Sequence, residues 1–308
     1  MIDKAINSVD NPVDGSVNAS VGIVGCGWLG SALAQQLKQQ NVEVLATRSN
    51  AENVEQLTNA GLTAEVLCLP TEQARLNSHP VFNHPCLVIA ITPQFRQGRL
   101  DYAEKVQQLV IAAAANPGVE KIILLSSTAI YNGLSGQVDE DITLDLSADK
   151  VSLLNQAEQA VLSFNDSRLA DANDELIKRN GYVIRLSGLV GPNRHPGKFL
   201  LNGRMLKNPQ AIVNLIHQQD AVGLIQAILR SQLCGGIFNG VSSTQVTKKQ
   251  YYQAAASALK LPTPIFEQND LISASEPKVV SGSKVQTKLN YAFVYDDLLN
   301  WLEQGDNS

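Results

Sequence analysis

Short apolar runs closed off by turn residues recur along the chain from Val21 to about residue 190: Val21–Val24, Val42–Ala46, Ala64–Leu67, Leu87–Ile91, Lys121–Leu125 and Tyr182–Leu186. Strands that are continuous apolar runs, rather than alternating, are those buried on both faces. Between several of them the apolar spacing becomes helical. Leu29, Leu33 and Leu37 recur every four residues, Tyr102, Val106, Leu109, Val110 and Ala113 mark a second face, and Leu154, Ala157, Val161 and Phe164 a third. Strands joined by helical crossovers predict an α/β fold, a Rossmann-type doubly wound parallel sheet spanning residues 20–190. The connection from Thr71 to Pro85 carries two His-Pro pairs and little periodicity.

After residue 190 the rhythm loosens. Gly191 to Gly197 forms a loop, Asp220 precedes a helix carrying Leu224, Ile225, Ile228 and Leu229, and Gly236–Asn239 returns as a last strand. Tyr252, Ala255, Ala256 and Leu259 mark one more helical face. Residues 191–308 are expected to form mainly a smaller C-terminal α+β substrate lobe, with the elements around 211–240 returning to the Rossmann sheet. Residues 1–19 are polar and read as a flexible arm.

Composition narrows the class. The 308 residues are 44% hydrophobic and 17% charged, enough apolar content for a packed core and too little charge for a disordered chain. With 24 Lys+Arg against 29 Asp+Glu the net charge is −5, which argues against a nucleic-acid surface. The N-terminus has no apolar signal-peptide core, and the longest apolar run, Leu109 to Ala115, is far short of the ~20 residues that cross a bilayer. A soluble, cytoplasmic protein with a small-molecule partner is expected. Cys26, Cys68, Cys86 and Cys234 lie far apart and read as buried, reduced thiols. The four histidines are scattered, so no metal site is expected.

The first strand runs into Gly25-Cys26-Gly27-Trp28-Leu29-Gly30, a G-x-G-x-x-G turn between strand and helix. Gly25 permits the tight turn, Gly27 lets backbone approach a pyrophosphate, and Gly30 lets the helix pack closely on the sheet. The anion then sits on N–H groups at the positive end of the helix, beside Trp28 and Leu29. At the end of the second strand, a cofactor with a free ribose 2′-hydroxyl calls for Asp or Glu. The chain has Thr47-Arg48-Ser49 instead, which suits a 2′-phosphate, so NADP is expected in preference to NAD. Thr92, Ser126 and Ser127 follow the fourth and fifth strands and supply hydroxyls at the edge where ligands bind.

Several pieces together carry a resemblance: GCGWLG, the SSTAIYNG segment with Glu140 beyond it, Arg185-Leu-Ser-Gly-Leu-Val-Gly-Pro192, Asn214-Leu-Ile-His-Gln-Gln-Asp220 and Gly236-Ile-Phe-Asn239. Over roughly residues 20–305 the chain resembles the extended short-chain dehydrogenase/reductase superfamily, its NAD-dependent epimerase/dehydratase group, and more particularly that group's divergent, atypical branch. The resemblance implies NAD(P) binding and oxidoreductase or epimerase chemistry on a small or nucleotide-sugar-like substrate. By its place four residues before Tyr131, Ser127 matches the family's catalytic hydroxyl.

The chain departs from the family where the proton chemistry belongs. The Tyr-x-x-x-Lys pair of the following helix has no counterpart: residues 132–181 contain no tyrosine, and Lys150 and Leu154 stand in its place. Val24 also replaces the first glycine of the family's usual turn. Tyr131 and His195 are expected at the substrate, Trp28 over the pyrophosphate or against the second lobe, and Asp220 as a helix cap. Arg194, Lys198 and Arg204 are either anion contacts or a solvated rim. Two functions follow: an NADP-dependent oxidoreductase or epimerase in which Ser127 orients the substrate, or a non-catalytic binding protein that senses the NADPH/NADP ratio.

Overall fold

The apolar runs all become strands of one sheet in the computed structural model, which describes residues 20–166, 169–170, 176–201, 205–267 and 276–304. The expected N-terminal arm and Arg204 lie outside the described residues. The main-sheet strands are β1 (Val21–Val24), β2 (Val44–Arg48), β3 (Thr63–Val66), β4 (Cys86–Ile89), β5 (Lys121–Ser127), β6 (Asn180–Leu186) and β7 (Gly236–Gly240). They pair in the order β7-β6-β5-β4-β1-β2-β3, and every pair is parallel.

Six helices accompany the sheet: α1 (Trp28–Gln39), α2 (Ala51–Asn59), α3 (Gln73–Asn77), α4 (Tyr102–Ala115), α5 (Asp149–Leu162) and α6 (Gln218–Arg230). In β5, Ile122 and Leu124 join an apolar cluster with α4 and α5, whereas Ile123 and Leu125 join a second cluster with α1 and α6. Successive side chains of a strand point to opposite faces, so two helical layers require a strand that is apolar at every position. Gly181 lets β6 pass α5, since a Cβ there would overlap the Val161 carbonyl.

The sequence periodicity missed α2 and α3. In α2 the buried residue is Leu57, and the helix is started by Asn50, whose side chain accepts from the Asn53 N–H at 2.9 Å. The Thr71–Pro85 connection folds as α3 and a short 3₁₀ turn, Pro80–Asn83, which bury Leu76, Val81 and Phe82.

The C-terminal part adds α7 (Lys248–Ala258), α8 (Ser283–Leu289) and α9 (Leu298–Gln304). Its apolar cluster includes Val190, Val213, Tyr251, Leu298 and Trp301. Asp220 does not cap α6, because His217 occupies that position and accepts from the Gln219 N–H. The fully buried Asp220 carboxylate instead anchors a later segment, accepting from the Tyr291 hydroxyl and from the N–H groups of Val294 and Tyr295. The cysteine expectation holds only in part: Cys26 and Cys86 are buried, but Cys68 and Cys234 are exposed. Among the described residues no helix is long and apolar enough to cross a membrane, and no cluster of His, Cys, Asp and Glu could hold a metal.

β1 lies between β2 and β4, so the winding direction reverses there. Strand ends diverge at such a point and open a crevice at the C-terminal edge of the sheet.

Candidate functional site

At that edge β1 turns through Gly25, whose φ of +85° disfavours any side chain and whose Cβ would lie 2.8 Å from Ile91 Cγ2. The turn is braced from β2. Gly25 N–H donates to Thr47 Oγ1 at 3.3 Å, Cys26 N–H to the Thr47 carbonyl at 2.8 Å, and Arg48 Nη1 to the Cys26 carbonyl at 2.8 Å. Thr47 is 1% exposed, so it holds the turn in shape and does not face a cofactor phosphate as expected. Gly27 is open: a Cβ there would meet nothing closer than Arg48 Nη1 at 3.6 Å. Gly30 is less demanding than expected, because a Cβ would sit at ordinary contact distance, 3.5 Å from Ile23 Cγ2.

No side chain caps α1 and no acid stands in its first turn. The N–H groups of Trp28, Leu29 and Gly30 have no partner within the helix and lie at its positive end. This donor set fits a phosphate group.

Two cavities meet at the turn, both bordered by Gly25, Gly27 and Thr92. The first, about 500 Å³, is lined also by Arg48, Ser49, Cys68, Arg99 and Lys105. Asp101 pairs with both Arg99 (2.7 Å) and Lys105 (2.9 Å). The Arg99 hydrogen bond, with help from Lys105, holds the Asp101 carboxyl down at about 2. The second cavity, about 630 Å³, is lined by Trp28, Leu29, Ser126, Ser127, Ser187 and Arg194, with apolar walls from Ile91, Leu125 and Leu186. An extended ligand with phosphates at its middle would occupy both.

Beneath the second cavity lies a buried polar network. Arg185 and Glu158 pair at 2.8 Å with side chains 3% and 0% exposed. Burial works against the Arg185 charge, but the Glu158 carboxylate outweighs it and holds the guanidinium above its usual value. Ser126 donates its hydroxyl to Glu158 at 2.5 Å, so that hydroxyl is committed to the network rather than to a cofactor. Tyr131 is fully buried, accepting from Arg185 Nη1 and donating to Asn239 Oδ1, both at 2.8 Å. Burial raises its pKa, and it does not face a substrate as expected. The Asn239 N–H in turn donates to Glu140 at 2.6 Å.

Ser127 stays at the cavity wall. Its oxygen caps the 3₁₀ turn Thr128–Tyr131 by accepting the Ala129 N–H at 3.1 Å, which leaves its proton for a ligand. His195 does not reach the cavity: it is 6% exposed, accepts the Gly197 N–H, and packs 5.6 Å from Trp301. Its neighbour Arg194 reaches instead, with the guanidinium 4.8 Å over the Trp28 ring. Trp28 Nε1 also donates to the Pro192 carbonyl at 3.1 Å, so Trp28 both lines the cavity and fastens the 191–197 loop to α1. Lys198 is exposed and lines neither cavity.

Comparison with known proteins bears on the fold. No protein-family model matches the chain. Protein YeeZ of Escherichia coli K12 is 28% identical over 283 residues, spanning 91% of this chain and 97% of YeeZ. A functionally unknown conserved protein from Silicibacter pomeroyi DSS, 24% identical, aligns over 92% of this chain and 97% of its own with a TM-score of 0.69. A UDP-glucuronic acid 4-epimerase from Bacillus cereus, solved with UDP-glucuronic acid and NAD, reaches a TM-score of 0.72 at 16% identity, covering 92% of this chain and 96% of that one. The chain has the epimerase fold.

Lys150 and Leu154, expected from the sequence to stand in place of the Tyr-Lys pair, both lie on α5. Lys150 is exposed on the first turn, and Leu154 is 1% exposed in the core. Sequence reasoning did not place Ser187, Arg99, Lys105 or Cys68 at the site, although all four line the cavities. For Arg99 and Lys105 a signal existed in the R-x-D-x-x-x-K spacing of residues 99–105. Ser187 lay unread inside the Arg185–Pro192 segment.

Proposed function

We propose that this chain is an NADP-dependent oxidoreductase acting on a small or nucleotide-sugar-like substrate. The observation that carries the proposal is the pair of cavities meeting at the glycine turn. The pyrophosphate takes the N–H groups of Trp28, Leu29 and Gly30. The adenosine half takes the first cavity, where Arg48 and Ser49 receive the 2′-phosphate; no carboxylate is among the described residues lining that cavity. The second cavity takes the nicotinamide half. A bound dinucleotide supplies a hydride donor or acceptor at its nicotinamide ring.

The chain's own residues define the rest. Ser127 donates a hydrogen bond to the substrate oxygen and so orients it. Arg194 is the one charged residue described as lining the second cavity, and it suits an anionic substituent. A guanidinium does not give up its proton near neutral pH, and no other lining residue is an ordinary acid or base, so the reaction proton is exchanged with water.

The deciding experiment is a fluorescence titration with NADPH and NADH, since Trp28 lies in the cavity wall. NADPH should quench its emission, or draw it by energy transfer, at least ~10-fold more tightly than NADH, the effect of one charge-assisted contact. Equal affinities would remove the role of Arg48. No response to either, confirmed by calorimetry, would refute dinucleotide binding.

The exposed Lys150 and buried Leu154 favour a second reading, a protein that senses the NADPH/NADP ratio without turnover. Turnover of any carbonyl or nucleotide-sugar compound that is abolished by Ser127→Ala, with cofactor affinity intact, would eliminate it.

A further inference from the structure

Arg194 closes a tight turn of the 191–197 loop. Its N–H donates to the Gly191 carbonyl at 2.9 Å, with φ of +143° at Gly191 and +62° at Asn193. The turn is held on both sides. Trp28 Nε1 donates to the Pro192 carbonyl at 3.1 Å, and the buried His195 accepts the Gly197 N–H at its Nδ1. The backbone that carries Arg194 is therefore fixed, and its guanidinium stands 4.8 Å over the Trp28 ring. Among the described residues that guanidinium meets no carboxylate and no hydrogen-bond acceptor. An indole face holds the cation in place but takes none of its hydrogen bonds, and the N–H fork matches a planar anion.

The remaining wall decides which anion. The second cavity is otherwise mainly apolar, with Leu29, Ile91, Pro93, Leu125, Leu186 and Leu189 around it. Its volume of about 630 Å³ is that of a site for one drug-sized ligand, and the nicotinamide half takes part of it. A nucleotide sugar brings two phosphate charges and a nucleoside, which call for more cations and more room. Two further cavities open in the C-terminal part, one bordered by Asn214, Ser242 and Ser281 and one by Leu200, Leu261 and Ile265. Neither has a Lys or Arg among its described lining residues. The cofactor phosphates have their own partners in the α1 N–H groups and Arg48, which leaves Arg194 for the substrate.

We propose that the substrate is a small, mainly apolar acid with a single carboxylate, which Arg194 holds while the reacting oxygen lies at Ser127. The assignment rests on the dinucleotide reading and narrows its substrate to a monoanion, setting nucleotide sugars aside. Arg194 is then the residue that selects for charge, and the leucine-rich wall selects for an apolar body.

Calorimetric titration of the full chain saturated with NADP tests this. The probes are hexanoate, 4-methyl-2-oxopentanoate and phenylpyruvate, the amide of whichever acid binds most tightly, and UDP-glucose. At least one acid should bind, and its amide should bind ~10- to 100-fold more weakly, the range of a lost charge-assisted contact. Arg194→Met should weaken the acid by the same factor and leave NADP affinity within about 3-fold of wild type. A loss that falls on NADP and spares the acid would assign Arg194 to the cofactor and overturn the proposal. Equal binding of acid and amide, or UDP-glucose binding more tightly than every acid, would overturn it too. Wild type that binds NADP but none of the acids overturns this proposal and leaves the dinucleotide reading standing. Wild type that fails to bind NADP refutes that reading and the proposal with it.

Discussion

Replacing Glu158 with Ala removes the partner of a buried guanidinium. Arg185 donates to that carboxylate through Nε at 3.2 and 3.0 Å and through Nη2 at 2.8 Å, and Ser126 donates to it at 2.5 Å. After the substitution, Arg185 keeps its hydrogen bond to the Tyr131 hydroxyl and is left as a charge on a side chain 3% exposed. Breaking one side of a buried pair costs about 3–5 kcal/mol, a large share of the roughly 5–15 kcal/mol that holds a domain together. Replacing both partners, Glu158→Leu with Arg185→Met, removes the buried charge altogether. Tyr131 then keeps Asn239 and only Ser126 is orphaned, so the double variant should recover at least about 2 kcal/mol over Glu158→Ala. Guanidinium unfolding followed by circular dichroism at constant m-value measures all three proteins. A Glu158→Ala cost below about 1 kcal/mol, or a double variant no more stable than Glu158→Ala, would refute the reasoning, since it would mean the pair is wet or relaxes at no cost.

Arg48→Ala should weaken NADP binding about 10- to 100-fold while leaving NAD within about 3-fold, in the range of a lost charge-assisted contact; parallel losses in calorimetry would show that Arg48 acts only through its bond to the Cys26 carbonyl. Cys68 is exposed in the wall of the first cavity, and Cys234 is exposed elsewhere. NADP should therefore slow maleimide labelling of Cys68 and leave Cys234 unaffected, as read by peptide mass spectrometry, and labelling of Cys68 indifferent to NADP would contradict the adenosine placement. Burial raises the Glu140 pKa above 4.5 against the opposing Asn239 N–H bond. The folded state therefore holds its proton more tightly than the unfolded state, and stability from this group falls as pH rises from about 4.5 to the raised value. Glu140→Gln keeps an acceptor for Asn239 and lacks that titration. Its stability relative to wild type should rise across that window and stay level above it, and denaturant melts at pH 4 and pH 7 showing no relative change would rule this out.

The sheet was legible because its signals are local. The apolar runs became strands, and β1 and β4 at the centre of the sheet are buried at every position, as a strand between two helical layers requires. β2 ran on to Arg48 because the ladder with β3 continues there, a pairing that no local pattern states. α2 and α3 were hidden because each buries little of its own surface. The glycine turn was legible for the same local reason, as Gly25 needs a positive φ that few residues adopt.

What the sequence by itself determined, then, is the doubly wound sheet and the glycine turn that leads its first strand into its first helix, both properties of residues near one another along the chain. Tertiary structure alone decided which polar side chains line the cavities and which turn into the core. Tyr131 meets Asn239, 108 residues away, and Ser126 meets Glu158, 32 residues away, so both turn inward. Thr47 braces the glycine turn instead of facing a 2′-phosphate, His195 sinks beside Trp301, and the Ser187 hydroxyl is buried with no hydrogen-bond partner among the described residues. A buried polar group takes whatever partner the packing brings within about 3 Å, and that partner is set by the fold, not by its neighbours in sequence.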